Sequence, residues 1–164
     1  RWWAEGCQHL ADSITGNLIR FGVCTPAIAE STRKWAAAKL RLDAIRDNQW
    51  LFMAYHAYDY YMNIQDHPDL ETYRSAVIEN ILNCTQAHID AGEVGKANAI
   101  FSFAPAPDST VALAAPPGLI DGILDRLAAS QREDGGWDDE HGLAYWQPYS
   151  STQILLALKR YNRL

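Results

Sequence analysis

An all-α fold is predicted by three features of the sequence. Apolar residues recur at three- and four-residue intervals, proline and glycine stand where helices begin and end, and no stretch alternates polar with apolar residues as a half-buried strand does. The chain has 164 residues, 48% hydrophobic and 21% charged. At that length roughly two-thirds of the unfolded surface can be buried, which suffices for a single domain, 1–164, without disulfide or metal staples.

The punctuation sets the elements in order. A first helix is expected from about Trp3 to Phe21, closing at Gly22. Thr25-Pro26 is a start signal, a hydroxyl N-cap followed by a proline whose missing N–H costs nothing at the first helical position. The second helix should then reach about Arg46 before Asp47-Asn48 breaks it. A third is predicted from Gln49 to Ile64, and His67-Pro68 opens a fourth lasting to Asp90, in which Tyr73, Val77, Ile81 and Cys84 form one apolar stripe. Residues 92–117 hold Gly92, Gly95, Pro105, Pro107, Pro116 and Pro117 and read as a long irregular connection. A fifth helix is expected over Gly118–Ser130, with Ile120, Ile123, Leu124 and Leu127 on one side. A glycine-rich turn and a loop to Pro148 precede a last helix, Tyr149–Tyr161.

Composition excludes several functions. The net charge is −6, the wrong sign for a protein that must neutralise phosphates, so no nucleic-acid partner is expected. No apolar run approaches the ~20 residues of a bilayer span, which predicts no integral membrane segment. Three cysteines, Cys7, Cys24 and Cys84, are odd in number and widely spaced; they read as reduced thiols of a cytoplasmic protein. Six Trp and eight Tyr imply large aromatic walls, suited to packing or to an apolar ligand. The chain opens on Arg1 without Met, which suggests a processed product or a piece of something longer.

The helices are not equivalent. Residues 50–62 of the third are apolar or aromatic nearly all round, as in a helix surrounded by protein, whereas the second and fourth carry charge (Glu30, Arg33, Lys34, Arg41; Glu71, Arg74, Glu79). Outer amphipathic helices alternating with buried inner ones describe two layers, an α/α toroid or part of one.

Gln131-Arg132-Glu133-Asp134-Gly135-Gly136-Trp137 follows the fifth helix directly. Two glycines allow a sharp exit from the helix. Trp137 can fold back over the turn, and the Gln131 amide can bond the backbone that begins the next helix. This segment, with Thr152, Leu155, Ala157 and Leu158 in the helix beyond, resembles the QW repeat of squalene–hopene cyclases and related terpene cyclases and prenyltransferases. The Trp50-Leu51 pair and the Ala104-Pro105-Ala106-Pro107-Asp108-Ser109 loop are similar to the C-terminal half of small bacterial proteins carrying that repeat. The resemblance implies an α/α toroid, with Gln131, Asp134, Gly135 and Trp137 as a structural clasp between an outer and an inner helix. The DxDD motif that supplies the acid of class II terpene cyclases is absent, as are the DDxxD metal motif and the zinc set of protein prenyltransferases.

Candidate chemistry lies on polar stripes. His56, Asp59 and Asn63 fall on one face of the third helix, and His9 and Asp12 repeat the spacing on the first. A carboxyl desolvated by aromatic rings has a raised pKa and can protonate an alkene, with a histidine one turn away setting its protonation; satisfied local ion pairs are the alternative. Asp138, Asp139 and Glu140 follow the turn and either form a solvated loop or hold Mg²⁺ through one or two carboxylates; otherwise no cofactor is expected. Cys84 and His88, at i and i+4, give two metal ligands without a third, or a core thiol.

Two functions are therefore expected. In the first, the protein is a terpene-cyclase-like enzyme acting on an apolar isoprenoid-like substrate by acid-initiated cyclisation or isomerisation. Asp59 or Asp12 would donate the proton, tuned by His56 or His9, and Trp50, Tyr55, Tyr58, Tyr60, Asn63 and Trp146 would line the pocket, their ring faces stabilising cations. In the second, it is a non-catalytic helical scaffold that binds a lipid or a protein. Toroids of the resembling superfamily close with about five to seven helix pairs, so three pairs would be the C-terminal half of a ring. A second copy, or a separate chain carrying an N-terminal half, would then complete it.

Overall fold

The computed structural model describes residues 12–139 and 142–164 of the chain. All regular structure among them is helical. In chain order the helices are α1 (residues 12–20), α2 (Pro26–Lys39), α3 (Leu42–Arg46), α4 (Leu51–Asn63), α5 (Leu70–Asp90), α6 (Val94–Ala97), α7 (Thr110–Ala114), α8 (Leu119–Ala129) and α9 (Gln147–Arg160). Short 3₁₀ turns occupy Asn98–Ser102 and Ala144–Trp146. No helix of the described residues is long and apolar enough to cross a membrane. The chain divides into two compact units, Arg1–Ile81 and Leu82–Leu164, with the division inside α5.

In the first unit the start signal at Thr25-Pro26 operates as expected: the Thr25 hydroxyl accepts from the Ile28 N–H and Pro26 is the first helical residue. The second helix does not continue to Arg46. It ends at Lys39, and α3 begins at Leu42. The break carries neither glycine nor proline; instead the Tyr61 hydroxyl of α4 donates to the Leu40 carbonyl at 2.9 Å, a tertiary bond that satisfies a carbonyl at the helix end. Helix α4 is as enclosed as its composition requires. None of residues 53–63 is exposed, and Leu51, Ala54, Ala57, Tyr60 and Tyr61 are buried. Its C-terminus is held by Arg74 of α5, whose guanidinium donates to the Tyr61 and Ile64 carbonyls, both at 3.0 Å. A cation at that end also complements the helix dipole.

The expected stripe of α5 is buried at Val77, Ile81 and Cys84, joined by Ala76, with Tyr73 partly covered. In the second unit, residues 92–117 are less irregular than their prolines suggest, since α6, a 3₁₀ turn and α7 lie within them and bury Ala97, Ile100, Phe103 and Val111. Helix α8 buries Leu119, Ile123, Leu124 and Leu127, the face read from the sequence. It packs on α9, which buries Ile154, Ala157 and Leu158. Beyond α9, Arg163 pairs with Asp121 and Asp125 on the exposed side of α8.

Candidate functional site

Two of the predicted acid and histidine positions meet directly. Helices α1 and α4 approach so closely at Gly16 that a Cβ there would lie 2.0 Å from the Asp59 carbonyl oxygen. This crossing lays one face of α1 along the polar stripe of α4. Nδ1 of His56 stands 2.9 Å from Oδ1 of Asp12, both side chains almost wholly buried. Oδ1 of Asp12 also accepts the Ser13 N–H at 2.8 Å, while its Oδ2 is buried without a hydrogen-bond partner among the described residues. One turn along, Asp59 accepts from the Ser13 hydroxyl and, at 3.0 Å, from the Asn17 amide through Oδ2. Asn63 turns back on its own helix and donates to the Asp59 carbonyl at 2.7 Å. The His56–Asp12 pair therefore joins two helices. His9 lies outside the described residues.

Ser13 and Asn17 were not singled out from the sequence. Their only signal is an i, i+4 pair of polar residues flanking Gly16, continuing the helix that carries Asp12. Together with Asp12, Ser13 and Asn17 make the stripe a contact between two helices, with its donors and acceptors largely matched.

Two cavities lie away from this stripe. One of about 170 Å³ is lined by Trp35, Leu40, Ile45, Met53, Ala54 and Val77 among others, with Lys39, Asn48 and Asn80 as polar members. At about 100° per residue, Ala54 and Ala57 lie about 100° or more from His56, Asp59 and Asn63 around α4, whereas Met53 is only about 60° from His56, so the cavity-lining face borders the polar stripe. A second, open groove of about 410 Å³ runs between α1 and α2 along Ile14, Leu18, Ala27 and Ile28. Neither cavity is lined by Asp12, His56, Asp59, Asn63, Trp50, Tyr55, Tyr58, Tyr60 or Trp146.

The aromatic residues expected to line a pocket differ in exposure. Tyr60 is buried, and desolvation pushes its phenol up to about 12. Tyr58 is partly buried; desolvation first, and then the neighbouring Asp59 charge, raise its phenol. Tyr55 is likewise partly buried, whereas Trp50, just before α4, is 68% exposed. Trp146 belongs to the second unit, where it is 45% exposed and meets Tyr149 edge-on with ring centroids 5.4 Å apart.

The turn after α8 is a clasp. Gly135 takes φ +83°, a left-handed conformation that favours glycine. Trp137 is buried, its indole Nε1 donates to the Leu127 carbonyl at 2.7 Å, and its backbone N–H donates to Ser151 Oγ of α9 at 2.9 Å. The Gln131 amide bonds the Gly135 carbonyl at 2.8 Å, closing the turn on itself instead of reaching the next helix as expected. The reason is length: ten residues separate Gly136 from the start of α9. Arg132 is gripped by Asp134 and Asp138, and Gly136 N–H caps onto Asp134.

Metal chemistry gains no support from the described side chains. Oδ1 of Asp138 accepts from Arg132 at 2.7 Å, and Asp139 receives the Ser150 hydroxyl at 3.3 Å. Glu140 lies outside the described residues. Arg132 thus already neutralises Asp138. Nδ1 of His88 is 2.9 Å from Glu93, and Cys84 is a buried thiol raised by desolvation. Among the described residues no group of three His, Cys, Asp or Glu side chains is placed to hold a metal.

No protein-family model, no curated protein and no solved structure matches the chain.

Proposed function

We propose that the protein is a helical binding module that holds an apolar, isoprenoid-like molecule, with the QW-like turn serving as its structural clasp. The observation that carries this reading is the arrangement around α4. One face of that helix meets an apolar cavity of about 170 Å³, and a neighbouring face binds α1 through His56, Asp59 and their partners. Acid-initiated cyclisation or isomerisation would require Asp59 or Asp12 to face substrate. The Ser13 and Asn17 bonds to Asp59, and the complete burial of Asp12 beside His56, favour retention without turnover.

Incubation with geraniol, followed by native mass spectrometry and analysis of the extracted organic phase, tests this. Geraniol should be retained and recovered unchanged, equally by the wild type and by Asp59→Asn. A cyclised or isomerised product that disappears in Asp59→Asn or Asp12→Asn, with helicity intact, would restore the enzymatic reading.

A second reading concerns assembly, and the surface of α9 favours it. Tyr145, Trp146, Tyr149, Leu155 and Leu156 are all substantially exposed on or beside that helix. If the second unit contributes an inner helix to a toroid, a second copy of the chain would cover this face. A species twice the 18.4 kDa chain mass is then expected on gel filtration at low micromolar concentration. A persistent monomer would remove self-assembly and leave a different polypeptide as the completing half.

A further inference from the structure

We propose that the cavity between α2, α3, α4 and α5 takes a medium-chain carboxylate, with the alkyl tail inside and the carboxylate at Lys39. This rests on the apolar-ligand reading above and adds the head group to it. The wall is built by Trp35, Leu40, Ile45, Met53, Ala54 and Val77, which offer carbon to a ligand. Its volume of about 170 Å³ compares with an engineered apolar cavity of roughly 150 Å³ that admits benzene. It therefore suits a tail on the order of six to eight carbons, the remainder reaching the rim.

The polar lining is asymmetric. The Asn48 amide donates to Asn80 Oδ1 at 2.8 Å and to the Trp50 carbonyl at 3.0 Å, and Asn80 donates to the Asn48 carbonyl at 2.6 Å. Those two side chains are committed to holding the α3–α4 connection against α5. Lys39 is different. It lies at the last position of α2, is exposed, and makes no ion pair with a described residue, whereas nearby Arg41 is paired with Asp43 and Lys34 with Glu30. Among the described residues it is the one charged side chain of the lining. A single exposed lysine lining an apolar cleft matches one carboxylate on a hydrocarbon tail. It does not match a diphosphate, which would need further cations that the lining lacks.

The two methionines provide the readout, because Met53 lines the cavity and Met62 does not. With ¹³C-methyl methionine in the full chain, octanoate should shift the Met53 signal on titration and leave Met62 unmoved. Octan-1-ol should act at the same signal more weakly. Lys39→Gln should lower octanoate affinity roughly three- to fivefold, the upper part of the range for a solvent-exposed ion pair, and leave octanol unchanged. Ala44→Trp should block both compounds, since Ala44 is an exposed member of the lining and its replacement disturbs no buried side chain. Equal affinity for acid and alcohol, or octanoate binding indifferent to Lys39→Gln, overturns the head-group assignment alone. A Met53 signal unmoved by either compound overturns the apolar-ligand reading with it.

Discussion

Replacing Gly16 by Ala should destabilise the first unit by about 2 kcal/mol or more, although alanine is the better helix former. On propensity alone the change would gain up to about 1 kcal/mol. The added Cβ, however, would stand 2.0 Å from the Asp59 carbonyl oxygen, 2.4 Å from its carbon and 2.8 Å from the Tyr60 nitrogen. All three are backbone atoms, so no side-chain rotation relieves the contact and α1 must move away from α4. Overpacking typically costs about 1–3 kcal/mol where side chains can adjust, and more where they cannot. The displacement also lengthens the Ser13 and Asn17 bonds to Asp59 and the Asp12–His56 contact. Amide exchange should therefore accelerate over residues 12–20 and 51–63. Gly122→Ala is the control, because nothing lies within 4 Å of its added Cβ and α8 is helical there; it should be neutral or stabilising by about 0.5–1 kcal/mol. If Gly16→Ala matches the wild type in denaturant midpoint, the close crossing of α1 and α4 is not as described.

That crossing marks the limit of what the sequence discloses. The stripe of α5, the buried face of α8 and the start of α2 are local facts, set by i, i+3 and i+4 spacing or by a cap two residues away, and all three stand in the structure. The end of α2 is not local. No glycine or proline announces it, and the Tyr61 hydroxyl that takes the Leu40 carbonyl comes from twenty-one residues further on. The glycines and prolines of residues 92–117 hid two short helices for the opposite reason: α7 is a short helix that fits between Pro107 and Pro116, and α6 is a single turn that tolerates Gly95 within it. The polar stripe was legible as a face, His56, Asp59 and Asn63 together. What the face meets depends on how near Gly16 lets another helix come, and the spacing within α4 carries no information on that. A stripe suited to a catalytic pocket and one suited to a neighbouring helix have the same sequence.

Trp137→Ala should be the more severe change, costing about 3–5 kcal/mol in the second unit, because a large buried ring is removed from a place its neighbours cannot refill. Trp137 is 3% exposed and joins three pieces of chain. Its indole donates to Leu127 in the last turn of α8, its backbone N–H donates to Ser151 of α9, and the Arg132–Gly136 bond of the turn lies directly before it. Trp137→Phe separates the packing from the hydrogen bond. Phenylalanine keeps most of the ring and loses the indole N–H, and the Leu127 carbonyl it abandons still receives the Ser130 N–H and hydroxyl. The loss should then be about 1 kcal/mol, at the lower end for a bond whose acceptor retains other partners. Ser151→Ala should fall near the same figure or somewhat above it, since it removes the side-chain acceptor of a partly buried backbone donor. Chemical denaturation ranks the three variants, and amide exchange at the end of α8 and the start of α9 locates the damage. If Trp137→Ala costs no more than Trp137→Phe, the ring is not packed between those helices and the QW-like turn is an ordinary surface loop.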